Sequence, residues 1–300
     1  MTVREPTRCA GLACAAAAIS VLFFATGCGS SSNGSSSSGG RQSALSSELV
    51  HVGQFTVCAS GGAPPESYQN ASGTFEGFDP SVARAVASGL GLKPVFVNSN
   101  IDTLVEAVET GKCDAAVAGL SMTPERLQAV TMIPYWLTGD GMLVAKGNPK
   151  HISGSTSTCG DSLSTVLGSV EDQRIAQWSA ACTAAGKPAI HTVTVPTVSA
   201  AYEALMNHQV DGLLYEIDFL GNEVQQHPTL FQLAGPELGD APSAIAISQQ
   251  HTALKAAIIR IIQNMQRTGS WNKLLERFGF QTREIANPTQ TTLPSTSPSS

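Results

Sequence analysis

Three times between residues 55 and 130, a short apolar run is followed by a longer stretch with helical spacing. FTVCA (55–59), PVFVN (94–98) and DAAVAGL (114–120) read as strands, the last of them buried. Between the first two, PSVARAVASGLG reads as a helix that Asp79-Pro80 starts and Gly89 and Gly91 stop. IDTLVEAVETG reads as a second, capped by Asp102, with Leu104, Val105 and Val108 on one face; TPERLQAV opens a third. This alternation favours a parallel sheet covered by helices on both faces.

The pattern then recurs with different detail. GMLVA (141–145) is strand-like, LSTVLGSV (163–170) runs from strand into turn, and EDQRIAQWSAACTAAG is a helix ending at Gly186. IHTVTV (190–195), the helix SAAYEALMNHQ and the strand VDGLLY (210–215) follow. A looser segment containing LFQLA leads to strand-like SAIAIS (243–248), then a long helix from His251 and a shorter one, SWNKLLERFG. Two α/β units, with the chain returning to the first, form the simplest topology. Ligands of open parallel sheets bind beyond the carboxyl ends of the strands, which points to residues 119–123, 168–170 and Glu216.

The segments outside this alternation bear on location. Arg4 and Arg8 precede the apolar run GLACAAAAISVLFFAT (11–26), which ends at Gly27 and Cys28. A basic start, an apolar stretch of this length and a small-residue site describe an export signal; a membrane-spanning helix usually needs about 20 apolar residues. Ala25-Thr26-Gly27-Cys28 resembles a lipobox, which makes residues 1–27 a signal peptide and Cys28 a lipid anchor. GSSSNGSSSSGGRQS (29–43) cannot bury apolar area and reads as a tether, so 28–47 is a leash; 284–300 is expected to be a disordered tail.

The mature cysteines are Cys58, Cys113, Cys159 and Cys182. An even number in an exported domain suggests disulfides, and four cysteines allow three pairings. Cys58–Cys113 with Cys159–Cys182 is favoured because each pair falls within one half of the fold. No CxxC spacing occurs and the histidines are not grouped with the cysteines, so neither metal nor cofactor is expected. Charge is sparse at 13%, net −6, with no dense basic stretch, which disfavours nucleic acid as a partner.

GLSMTPERL (119–127) carries an oddity. Thr123-Pro124 starts a helix, and Arg126 then sits in its first turn, where the helix dipole mildly disfavours a cation. An anion between Arg126 and the free N–H groups would resolve the conflict. The blander alternatives are a surface pair with Glu125 or Asp79 for Arg126, simple capping by Thr123, Asp79 and Asp102, a solvated strand end for Glu216 and a helix cap for Asp218.

GTFEGFDPSVARAVASGLG (73–91), residues 102–130, IPYWLTGDGMLVAK (133–146), LGSVEDQ, VDGLLYE and the closing helices resemble, in that order, the extracellular solute-binding proteins of family 3. The resemblance implies an α/β, two-lobed periplasmic-binding-protein-like fold of type II, each lobe a parallel-dominated sheet flanked by helices, with ligand in the cleft. Lobe 1 would comprise 48–138 and 247–283, and lobe 2 139–246. It implies an amino-acid carboxylate on Arg126 and the Gly119–Ser121 turn, met from the second lobe by Ser169 and the Val170 backbone, with the ammonium on Glu216. Positions where relatives stack aromatic rings are here Gly62 and Ile101, and the first-strand acidic residue some relatives carry is here Ala59. Tyr135 and Trp136 are read as packing residues.

The implied function is that of a lipid-anchored monomer on the outer face of the cell membrane, capturing an amino acid for an ABC permease and its ATPase, without catalysis. The alternatives are a dehydratase on the same fold, since some relatives act on cyclohexadienyl substrates, and a sensory module for a membrane receptor.

Overall fold

The computed structural model describes residues 44–285 and 287–289; the signal segment, Cys28 and most of the tether lie outside them. In the first half β1 (Gln54–Ala59) lies parallel to both β5 (Lys93–Asn98) and β6 (Ala115–Ala116). A small antiparallel sheet of β2 (Gly62–Ala63), β3 (Ser67–Gln69) and β4 (Phe75–Glu76) hangs from the first strand. In the second half β8 (Ser162–Val166) lies parallel to β9 (His191–Val195) and β10 (Gly212–Glu216).

Two long antiparallel strands, β7 (Thr131–Ala145) and β11 (Phe231–Ile247), run through both halves and fuse them into one mixed sheet in the order β5-β1-β6-β11-β7-β10-β8-β9. The sequence suggests shorter strands here, GMLVA (141–145) and SAIAIS (243–248), and the full strands carry Pro134, Gly139, Gly141, Gly235 and Pro242. They are accommodated within the pairing, and β11 absorbs three register shifts between Ala234 and Ala244. Ala244 and Ala246 already pack with Cys58, Leu104 and Met132 of the first half, so the chain re-enters that half before residue 247.

Helices cover both faces of each half. Against one face of the first half pack α1 (Phe78–Leu90), α7 (Thr252–Arg267) and α8 (Ser270–Phe278); against the other packs α2 (Leu104–Glu109). α7 buries Leu254, Ala257, Ile258 and Ile262, one helical stripe, while α8 buries Trp271 and Leu275 one turn apart. Each large apolar side chain so buried contributes roughly 1.5–3 kcal/mol. In the second half α4 (Val170–Ala184) covers one face, and α5 (Val198–Met206) and α6 (Ile217–Gln226) the other. Both disulfides join the pairs favoured above, Cys58–Cys113 and Cys159–Cys182.

The edges of the fold differ from expectation. Leu45 is buried in the core, and the Glu48 carboxylate accepts from the Ala253 and Leu254 N–H groups at 3.0 and 2.7 Å, capping α7 from a distance. At the far end Glu284 bridges to Trp136 and Ile285 is buried, so the coreless tail begins after them rather than at 284.

Two expected caps also fail. Asp79 lies inside the first turn of α1, whose start is satisfied by backbone: Phe78 N–H donates to Pro65 O at 3.1 Å and Asp79 N–H to Glu66 O at 2.9 Å. A Cβ at Gly77 (φ 113°) would lie 2.4 Å from Glu66 O, so glycine permits this approach. Asp102 sits within a 3-10 turn, Ile101–Thr103, and makes no capping bond.

Candidate functional site

The carboxyl ends of the strands meet where the two halves face each other. β6 ends in the Gly119–Ser121 turn, which leads to α3 (Pro124–Ala129). As expected, Thr123 caps α3, its hydroxyl accepting from Arg126 N–H at 3.2 Å. β8 ends in the Gly168–Ser169 turn and α4, where Ser169 accepts from Asp172 N–H at 3.2 Å. β10 ends at Glu216.

Ile101, Gly119, Ser121, Arg126, Ser169, Val170 and Glu216 all line one small cavity, together with Ala118, Leu120, Glu171 and Tyr215. Gly62 is not among them: it abuts Ser199 at the start of α5, whose hydroxyl donates to Gly62 O at 3.3 Å. Tyr135 and Trp136 belong to the core of the first half.

Arg126 forms no ion pair with Glu125 or Asp79. Its Nη1 donates to Ser121 O at 2.8 Å, and its Nη2 crosses to the other half, donating to Gly168 O at 3.0 Å. Burial pulls the guanidinium below its usual range, against the pull of Glu171 and Glu216.

The halves are in close apposition. A Cβ at Gly119 (φ 61°) would lie 2.7 Å from Glu216 Oε1, and one at Gly168 (φ 75°) 2.9 Å from Asp102 Cα. Room of about 20 Å³ remains in the cavity, enough for a water molecule and too little for an amino acid.

Buried carboxyls crowd the same junction. Glu216 is buried rather than solvated and stands opposite Asp140 in the β7–β10 pairing. Asp140 pairs with Arg174 at 2.8 Å, and Glu171, a neighbour of Asp140, is pushed by burial and then by that aspartate up to about 8. Asp79 accepts from the Tyr135 hydroxyl at 2.6 Å and is pushed by burial up to about 7. Glu66, on the loop between β2 and β3, is raised well above the ordinary carboxyl range, first by burial and then by Asp218 and Asp79. Burial, then Glu66 and Glu171, do the same to Glu216. Asp218 is not a cap; it lies in the first turn of α6 with Arg283 Nε 3.6 Å away.

The sequence does not reveal Glu66, Asp79, Asp140 or Glu171 as members of this site. Asp79 and Glu171 read as ordinary helix starts, and nothing local marks Glu66 or Asp140. A charge buried by tertiary contact leaves no local signal.

A profile of bacterial extracellular solute-binding proteins, family 3, matches residues 55–282. The chain is 22% identical over 255 residues to a probable amino-acid ABC transporter periplasmic-binding protein of Sinorhizobium fredii, spanning 81% of this chain and 83% of that protein. It is 26% identical to the ABC transporter glutamine-binding protein GlnH of Bacillus subtilis, spanning 69% and 74%. Among solved structures, an ancestral arginine-binding protein bound to arginine aligns at a TM-score of 0.70 and 26% identity, covering 75% of this chain and 98% of that one.

Proposed function

Because the chain belongs to the bacterial extracellular solute-binding proteins, family 3, we propose that it captures an amino acid between its two lobes and delivers it to an ABC importer. The observation that carries this reading is the placement of Arg126 and Glu216, one from each lobe, on the same cavity between strand ends. The Arg126 guanidinium takes the ligand carboxylate in place of the Ser121 and Gly168 carbonyls it now holds, and the N–H groups of the Gly119–Ser121 and Ser169–Val170 turns supplement it. A planar fork suits a carboxylate bidentately. Glu216 takes the ammonium, while Ile101 bounds the space for the side chain without an aromatic stack.

Ligand enters by separation of the lobes, taken as 48–138 with 247–283 and 139–246 with the crossing of β11 moved earlier, and β7 and β11 flex between them. The protein works as a monomer tethered through Cys28 to the outer face of the cell membrane, beside a permease and its ATPase. Its role is binding, not catalysis.

A thermal-shift screen of the protein against the α-amino acids tests this reading. A ligand at 100 times its dissociation constant stabilises by about 2.7 kcal/mol, and at least one amino acid is expected to raise the melting temperature by about 5–10 °C. A flat response to all of them would sink it.

One observation favours the dehydratase alternative: Glu171 is buried at the cavity, burial pushes its carboxyl up to about 8, and a carboxyl so placed can serve as a general acid. Incubation with a cyclohexadienyl acid, followed by ultraviolet absorbance, tests it; no conversion is expected.

A further inference from the structure

Glu66 is 1% exposed, and neither of its carboxylate oxygens has a hydrogen-bond donor in bonding geometry among the described residues. It is anchored in the first lobe, its backbone carbonyl accepting from Asp79 N–H at the start of α1. Beside Asp218 and Asp79 it meets the side chain of Glu216, at the end of β10 in the second lobe, as a hydrogen-bond partner. The two acids therefore come together only when the lobes do. A pair of buried carboxylates in contact cannot both stay ionised, because each loses its water and repels the other. One proton between them turns repulsion into a hydrogen bond.

We propose that closing the lobes on a zwitterion takes up a proton, held between Glu66 and Glu216, and that Glu66 thereby sets the net charge the cleft accepts.

The pair stands mostly among further acids. Glu66 faces Asp79 of α1, Asp218 of α6, which is engaged with Arg283, and the Phe219 N–H. Glu216 faces Glu171 of α4, Asp140 of β7, Asp79 and the Tyr215 hydroxyl, with Arg126 of α3 as the nearby cation. Arg174 is committed to Asp140. A zwitterion adds no net charge to this set, so its ammonium offsets one carboxylate of the Glu66–Glu216 pair and leaves the other.

Asp79 keeps Tyr135 within the first lobe, and Glu171 keeps Asp140 within the second. Acids also meet across the lobes where Asp218 faces Glu66 and Asp79 faces Glu216, but Glu66 and Glu216 are the pair in hydrogen-bond contact. A ligand with a second positive charge would meet the second carboxylate directly and take up fewer protons.

The inference rests on the amino-acid reading, and calorimetry separates their failures. The full protein is titrated with L-glutamine and with L-arginine at pH 7.5, each in phosphate and in Tris, whose ionisation heats differ. For L-glutamine the difference in heat should correspond to close to one proton taken up per ligand, and affinity should fall by up to about tenfold per pH unit above neutrality. L-arginine should take up clearly less. Glu66→Gln should bind L-glutamine with no proton uptake and a flat pH profile, which a merely structural role would not produce. Heats for wild type that are equal in both buffers, or equal uptake with both amino acids, would overturn the proposal even if the variant fails to fold. A flat thermal-shift response to every α-amino acid, with no binding of these two, would overturn the amino-acid reading and the proposal with it.

Discussion

Arg126 holds two carbonyl oxygens, one from each lobe, and those bonds define what its replacement should do. A charge-assisted pair is worth about 1.5–3 kcal/mol, so Arg126→Ala should weaken amino-acid binding by roughly tenfold to a hundredfold whatever the ligand side chain. Arg126→Lys keeps the charge but loses the fork and should recover part of that affinity. Calorimetry on both variants measures this, and unchanged affinity in the alanine variant is incompatible with a carboxylate at this position. The buried acids make a separate prediction about stability. Folding raises Asp79 from 3.8 to about 7 and Glu171 from 4.5 to about 8. The folded state then binds more protons than the unfolded one, so their contribution is fully present below the ordinary carboxyl values and is lost as pH rises toward 7 and 8. Urea midpoints should therefore be higher near pH 5 than near pH 8. Asp79→Asn, which can still accept from Tyr135, should reduce that difference.

At the scale of elements, the two disulfides close loops of unequal length, with sequence separations of 55 for Cys58–Cys113 and 23 for Cys159–Cys182. The chain-entropy argument gives about 4 kcal/mol for the longer loop and about 3 kcal/mol for the shorter. Replacing both cysteines of the longer pair by alanine should cost more stability in urea unfolding than the same change in the shorter pair. Most elements were legible locally. FTVCA, PVFVN and IHTVTV carry enough β-branched and apolar character to declare themselves, and Thr123-Pro124 announces α3 by its cap. What was not legible depends on distant partners. β7 and β11 continue through glycines and prolines because each supplies the other's ladder, and α1 and α7 are capped by the Pro65–Glu66 carbonyls and the Glu48 carboxylate. Of the site, Gly119, Ser121, Arg126, Ser169, Val170 and Glu216 follow from strand ends and the family resemblance. The acids around them are assembled by tertiary contact, which no short window of sequence contains.

At the scale of the whole molecule, two lobes joined by two continuous strands bring opposite charges, Arg126 and Glu216, to one closed cavity. The central claim is that both ends of a zwitterion are held there at once. The most direct measurement takes the α-amino acid giving the largest thermal shift and titrates the protein with it, with its α-amide and with the corresponding α-hydroxy acid. The amide abolishes the charge meant for Arg126, and the hydroxy acid abolishes the one meant for Glu216. Each analogue should bind at least about tenfold more weakly than the parent, the worth of one charge-assisted pair. An analogue that binds as tightly as the parent amino acid would contradict the clamp.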